Sequence, residues 1–262
     1  PDRWSWPLPV GQGHRRMPTG KPGERGKSLV RKGTVAFGFV HPAEVSIYFT
    51  LAFVKTVMAD ALGPKRIIAH LPKYSSANIS NARNAVVRTF LDETEAEWLW
   101  FVDADMHWDP AALDVLLEYA DAKRAPIVGG LCFGIEDGVL FPTLYQWGKD
   151  DQDRVTSFRM GEFPENTMLQ VGSTGAAFLL VHRGVLTAMR DKGFNATFPW
   201  FQETEIAGKP CGEDVTFCAR AGMLGYPVHV HTGVEVGHHK SFMLTADMYA
   251  KQRKDASCAA DE

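Results

Sequence analysis

The chain is short of the features that mark several common protein classes. No apolar run reaches the roughly 20 residues that a membrane-spanning helix needs, and the Pro/Gly/Arg-rich opening has nothing like the apolar core of a secretory signal. Cysteine is scarce. Cys132, Cys211, Cys218 and Cys258 are the only four, and no two form a close CxxC pair. That excludes a disulfide framework and a compact zinc site, and the expectation is free thiols in a reducing compartment, the cytoplasm. Positive charge is not in excess either: 28 Lys and Arg stand against 31 Asp and Glu, a formal net charge of -3. A protein that coats nucleic acid through a broad basic surface is therefore excluded, although a local basic patch stays open. A glycine-rich phosphate loop is also missing. Gly26-Lys27-Ser28 has the ending of one, but the spacing from Gly20 is one residue too long and no apolar strand precedes it.

What is present is enough for a core. At 262 residues and 45% hydrophobic content, the chain suits one large catalytic domain. Residues 1–32 read as a basic Pro/Gly-rich arm, 33–245 as the domain, and 246–262 as a tail. Within the domain, strand-like runs at Val35–Val40, Arg66–His70, Trp98–Val102 and Pro126–Gly130 alternate with helical stretches at Glu44–Leu62, Asn78 or Ser80 to Leu91, and Pro110–Ala122. This rhythm predicts an α/β fold with a mostly parallel sheet flanked by helices. The second half is less regular. Phe133–Glu165 mixes Pro, Gly, Trp and charge and reads as an antiparallel excursion, Met168–Val181 returns to strand character, Gly212-Glu213-Asp214 opens a helix, and Val228–His231 is a late strand.

The third strand ends in Asp103-Ala104-Asp105. If the strand continues, residues i and i+2 project to one side, so both carboxylates aim at one spot, which suits a hard divalent ion. The plainer reading is a strand running into an acidic turn before Asp109-Pro110. In open α/β sheets, ligands gather at the carboxyl ends of strands, where these two aspartates fall.

Asp103-Ala104-Asp105, Ser173-Thr174-Gly175-Ala176, Gly212-Glu213-Asp214 and Val236-Gly237-His238, taken in this order, resemble the GT-A (Rossmann-like) glycosyltransferases, and the small bacterial and bacteriophage members in particular. The resemblance covers about Thr34 to Thr245 and implies an antiparallel or irregular C-terminal acceptor half. It implies Mn2+ or Mg2+ as cofactor, held by Asp105 and His238, with Asp103 facing the metal or the ribose. Arg83, Asn84, Asp103, Ala104, Ser173 and Gly175 would border the nucleotide sugar, a UDP-sugar by preference. Asp214, with Glu213 beside it, would be the general base of an inverting transfer. The acceptor would be a protein, a glycan or a hydroxylated DNA base, and the compartment the host cytoplasm if a phage encodes the chain. His239 next to His238 leaves the ligand assignment open by one residue.

The chemistry suits these residue types. A departing diphosphate gathers negative charge that a cation neutralises, and a carboxylate on the far side of the sugar takes the acceptor's proton. The dipole of its helix is expected to keep Asp214 ionised. Trp200 and Phe201 offer a flat wall to a sugar, or else a buried aromatic pair beside Pro199. Two other functions compete: a sugar nucleotidyltransferase, which would want a basic, Gly-rich loop where Phe39–Glu44 has none, and a non-catalytic carbohydrate-binding protein of the same fold.

Overall fold

In the computed structural model, residues 30–75, 78–136 and 138–241 are described. The expected arm and tail lie almost wholly outside them, and so does Cys258. The first strand nevertheless begins at Arg31, two residues inside the expected arm.

In chain order the elements are β1 (Arg31–His41), α1 (Ile47–Leu62), β2 (Ile67–Tyr74), α2 (Ile79–Glu93), β3 (Ala96–Val102), β4 (Met106–His107), α3 (Ala112–Tyr119) and β5 (Ile127–Leu131). Then come β6 (Phe133–Glu136), β7 (Val139–Pro142), β8 (Leu144–Lys149), β9 (Val155–Arg159), β10 (Met168–Val171), β11 (Ser173–Thr174) and β12 (Phe178–His182). The last are α4 (Arg183–Lys192), β13 (Thr204–Ile206), β14 (Lys209–Cys211), α5 (Glu213–Met223), β15 (Val228–Glu235) and β16 (Gly237–His238).

Seven strands form the central sheet in the order β10-β15-β5-β12-β3-β1-β2. β1, β2, β3, β5 and β15 run one way, while β12 and β10 run against them. The mostly parallel α/β sheet read from the sequence is therefore present. The stretch 133–165 is the expected antiparallel excursion, made of the β6–β7 hairpin and the β8–β9 pair.

β3 shows how the sheet divides the interior. Alternate residues of a strand face opposite sides, so Leu99 and Phe101 join one core with Val86 and Phe90 of α2, Leu186 of α4 and Phe217 of α5. Trp98, Trp100 and Val102 join the other, with Phe49 of α1 and Leu116 of α3. Helices thus cover both faces, which is why β3 reads as a nearly continuous apolar run.

Several boundaries differ from expectation for local reasons. α1 starts at Ile47 because the Ser46 hydroxyl accepts the Tyr48 N–H at 3.2 Å and caps the helix there. Asn78, one of the two expected caps of α2, accepts the Asn81 N–H at 2.9 Å. α3 is shorter than the expected 110–122, since Ala120 is extended and Asp121 and Ala125 close a turn. α4 was not expected at all. Among the described residues, no helix is long and apolar enough to cross a membrane.

Candidate active site

The carboxyl ends of β1, β2 and β3 meet at one edge of the sheet. There β3 stops at Val102, because the Asp103 N–H donates to Ala177 O at 2.9 Å and the Met106 N–H turns back to Asp103 O at 3.1 Å. Asp103 to Asp105 is a turn rather than continued strand, so the two carboxylates line one cavity but take different partners. Arg83 of α2 donates to both oxygens of Asp103, at 2.9 and 2.8 Å. Asp105 instead meets His238 Nε2 and Lys240 Nζ, each 3.0 Å from its Oδ2.

A two-residue ladder brings His238 here. β16 pairs antiparallel with β4, with His238 opposite Met106 and Gly237 opposite His107. His238 Nδ1 lies 2.8 Å from Phe133 O. A carbonyl can only accept, so Nδ1 donates to it, and Nε2 is the nitrogen turned to Asp105, to which it donates when the ring is protonated. This backbone anchor is the arrangement that orients a metal-binding imidazole. His239 points elsewhere: its ring lies 5.0 Å from that of Tyr48, and only its backbone N–H reaches Asp105 O. Of the two histidines, His238 is the one whose ring meets the Asp105 carboxylate.

Charge follows these contacts. Burial would raise the Asp105 carboxyl, but the hydrogen bonds and charges of His238 and Lys240 outweigh it and hold Asp105 below its ordinary range. The Asp105 hydrogen bond in turn lifts the His238 imidazole above its usual value. A carboxylate oxygen and an imidazole nitrogen facing each other fit a borderline or hard divalent ion. Among the described residues no group of three or more His, Cys, Asp or Glu side chains is gathered, so such an ion would draw its other ligands from water or substrate.

The second carboxylate pair arrives on α5. Glu213 and Asp214 occupy its first turn, after Gly212. Arg83 Nη1 donates to Glu213 in a very short contact, so one buried guanidinium joins Asp103 to Glu213. Asp214 is left outside this clamp. Its Oδ1 accepts the Val215 N–H at 2.7 Å, and its Oδ2 faces Gly175, where an added Cβ would sit 3.7 Å away. Burial raises both Glu213 and Asp214 above the ordinary carboxylate range, against the lowering charge of Arg83. The helix dipole, expected to favour the Asp214 anion, is thus outweighed by desolvation.

A cavity of about 550 Å³ opens at this edge, lined among others by His41, Ser46, Ser75, Asp103, Ala104, Asp105, Glu203 and His239. Of the residues expected around a nucleotide sugar, Asp103 and Ala104 line it, as does the expected metal ligand Asp105, and Ala104 O also accepts the Ser46 N–H. Four expectations are corrected. Asn84 is fully buried, and its side chain bonds the Ser80 and Phe201 carbonyls, tying α2 to the 200–201 segment. Ser173 is fully buried in β11. Trp200 donates through Nε1 to Leu186 O, and Phe201 stacks on Phe217 at 4.6 Å; both are core residues, so the buried-pair reading holds and the sugar-wall reading does not. The sequence reading also missed Lys240, Ser46, His41 and Glu203. Lys240 alone carried a signal, as a cation two residues after His238.

The seven-stranded, mostly parallel sheet with helices on both faces is consistent with the GT-A (Rossmann-like) fold class. More particularly, residues 50–179, just under half of the chain, match the family model described as glycosyl transferase family 2. GalNAc-T7, solved with UDP, GalNAc and Mn2+, superposes with a TM-score of 0.50 at 11% identity, over 78% of this chain and 43% of that one. A197 from STIV superposes with a TM-score of 0.49 at 16% identity, over 79% and 86%. No curated protein matches the sequence.

Proposed function

We propose that this chain moves a sugar from a nucleoside-diphosphate sugar, UDP-linked by preference, to an acceptor hydroxyl in a single inverting displacement. The observation that carries the reading is the meeting, at one sheet edge, of the Asp105–His238 pair with the Asp103–Arg83–Glu213 clamp. Asp105 and His238 would hold Mn2+ or Mg2+, which supplies charge neutralisation for the departing diphosphate. Arg83 fixes Asp103 toward the cavity and occupies Glu213, leaving Asp214 as the carboxylate free to accept a proton. Its raised pKa brings it nearer the pH at which a general base works best. The GalNAc-T7 complex, which holds UDP, GalNAc and Mn2+, supports this choice of donor and ion.

The test is hydrolysis and transfer with a panel of nucleotide sugars, with manganese and with excess chelator. Turnover of one donor that stops with chelator and returns with manganese is expected. Full activity in chelator removes the metal from the mechanism. A panel in which no donor turns over, but a sugar phosphate and a nucleoside triphosphate are joined, would assign a nucleotidyltransferase instead.

A further inference from the structure

The donor set at Asp105 carries a third group that the proposed reaction does not use. Lys240 Nζ and His238 Nε2 both lie 3.0 Å from the same oxygen of Asp105. The side of the carboxylate that turns to His238, where a divalent ion would bind, is thus already neutralised by a cation of the protein. An ammonium and a metal ion compete for that oxygen, because like charges at such separations repel.

We propose that Lys240 is the exchangeable cation of this site: it holds Asp105 in the donor-free protein, yields it to the incoming metal, and passes to the donor's diphosphate. The inference rests on the metal reading of Asp105 and His238 given above. Three features support it. The Lys240 and Asp105 side chains are 41% and 38% exposed, so their pair is weakly held and easily exchanged. Arg83, whose side chain is 4% exposed between Asp103 and Glu213, is the opposite case, a fixed planar fork that has nowhere to go. Second, lysine is a compact charge on a flexible four-carbon stem, suited to moving between anions. Its chain neighbours His239 and Ser241 both line the cavity that Asp105 lines, so a released ammonium stays at that cavity. Third, the described residues gather no further ligand at the site, so the positions left open on the metal go to water or to the donor's diphosphate. The anion that draws in the metal then arrives together with the partner that Lys240 needs on leaving Asp105.

The exchange predicts effects of opposite sign on two ligands. Lys240→Met keeps the stem and removes the charge, at a position exposed enough that folding is not at stake. Binding of Mn2+ alone, followed by electron paramagnetic resonance of the free ion, should tighten by about two- to fivefold. Binding of inorganic pyrophosphate alone, followed by calorimetry, should weaken by a similar factor. Manganese affinity equal to or below that of the unaltered protein overturns the exchange, and unchanged pyrophosphate binding overturns its second half. Asp105→Ala separates the two layers of argument. If it leaves Mn2+ binding intact, the metal assignment itself fails and the exchange falls with it. If it abolishes Mn2+ binding while Lys240→Met changes nothing, only the exchange fails.

Discussion

Asp214 is where chemistry and stability pull apart. Its pKa is raised by burial, so the native state binds this proton more readily than the unfolded chain does. Ionised Asp214 therefore costs stability: the cost is absent below the ordinary carboxylate pKa and complete above the raised one. Asp214→Asn removes that cost together with the proposed proton acceptor. Transfer should fall by about 10²–10⁴-fold, with donor affinity nearly unchanged, while the melting temperature at pH 7.5 holds or rises. That thermal advantage should shrink as pH is lowered through the raised pKa. In the unaltered protein, the acid limb of the rate profile should lie above the ordinary carboxylate range for the same reason. An Asp214→Asn protein that transfers at the unaltered rate, or a product with retained anomeric configuration, would remove the base role. The type of residue was legible in the sequence here; the upward shift of its pKa was not. A first-turn aspartate announces a helix dipole, whereas the desolvation that outweighs it comes from elements distant in the chain.

At the scale of elements, the sheet and its first helices were legible because each strand carries its own apolar run and α2 its own cap, Asn78. Other features depend on pairing. The different partners of Asp103 and Asp105 come from far along the chain, Arg83 of α2 for the first and His238 of β16 for the second. Trp200 and Phe201 are buried because α2, through Asn84, and α5, through Phe217, close over them. α4 has only ten residues, Arg183–Lys192, and follows β12 with no linker, capped by the His182 ring accepting the Gly184 N–H at 3.1 Å. Histidine is not a signal a reader looks for at a helix start. Gly38 makes the clearest test of how tightly the elements that aim Arg83 are packed. A Cβ there would come within 2.7 Å of Val86 Cγ1 on α2 and 2.9 Å of Leu99 Cδ1 on β3. Gly38→Ala should cost about 1–3 kcal/mol in chemical denaturation, as overpacked cores do. Because α2 carries Arg83, it should also weaken donor binding. Unchanged stability would show that α2 can shift freely on the sheet.

Across the whole molecule, the site is assembled from both ends of the described chain. Arg83, Asp103 and Asp105 come from the first three strand–helix units, Glu213 and Asp214 from α5, and His238 from the last strand. Short motifs gave the members of this set, but only the β16–β4 ladder and the Arg83 clamp bring them to one edge. A ligand that touches both groups should therefore stabilise the domain as a unit. Binding to the native state alone adds RT ln(1 + [L]/Kd), about 2.7 kcal/mol at a hundredfold excess over Kd. For a domain of this size that corresponds to a rise in melting temperature of about 5–10 °C. UDP with manganese should produce such a rise, chelator should remove most of it, and Asp105→Ala should abolish the manganese-dependent part while leaving the protein folded. A rise of the same size in chelator, or in Asp105→Ala with manganese, would place the nucleotide away from the Asp105–His238 pair and detach the metal from donor binding.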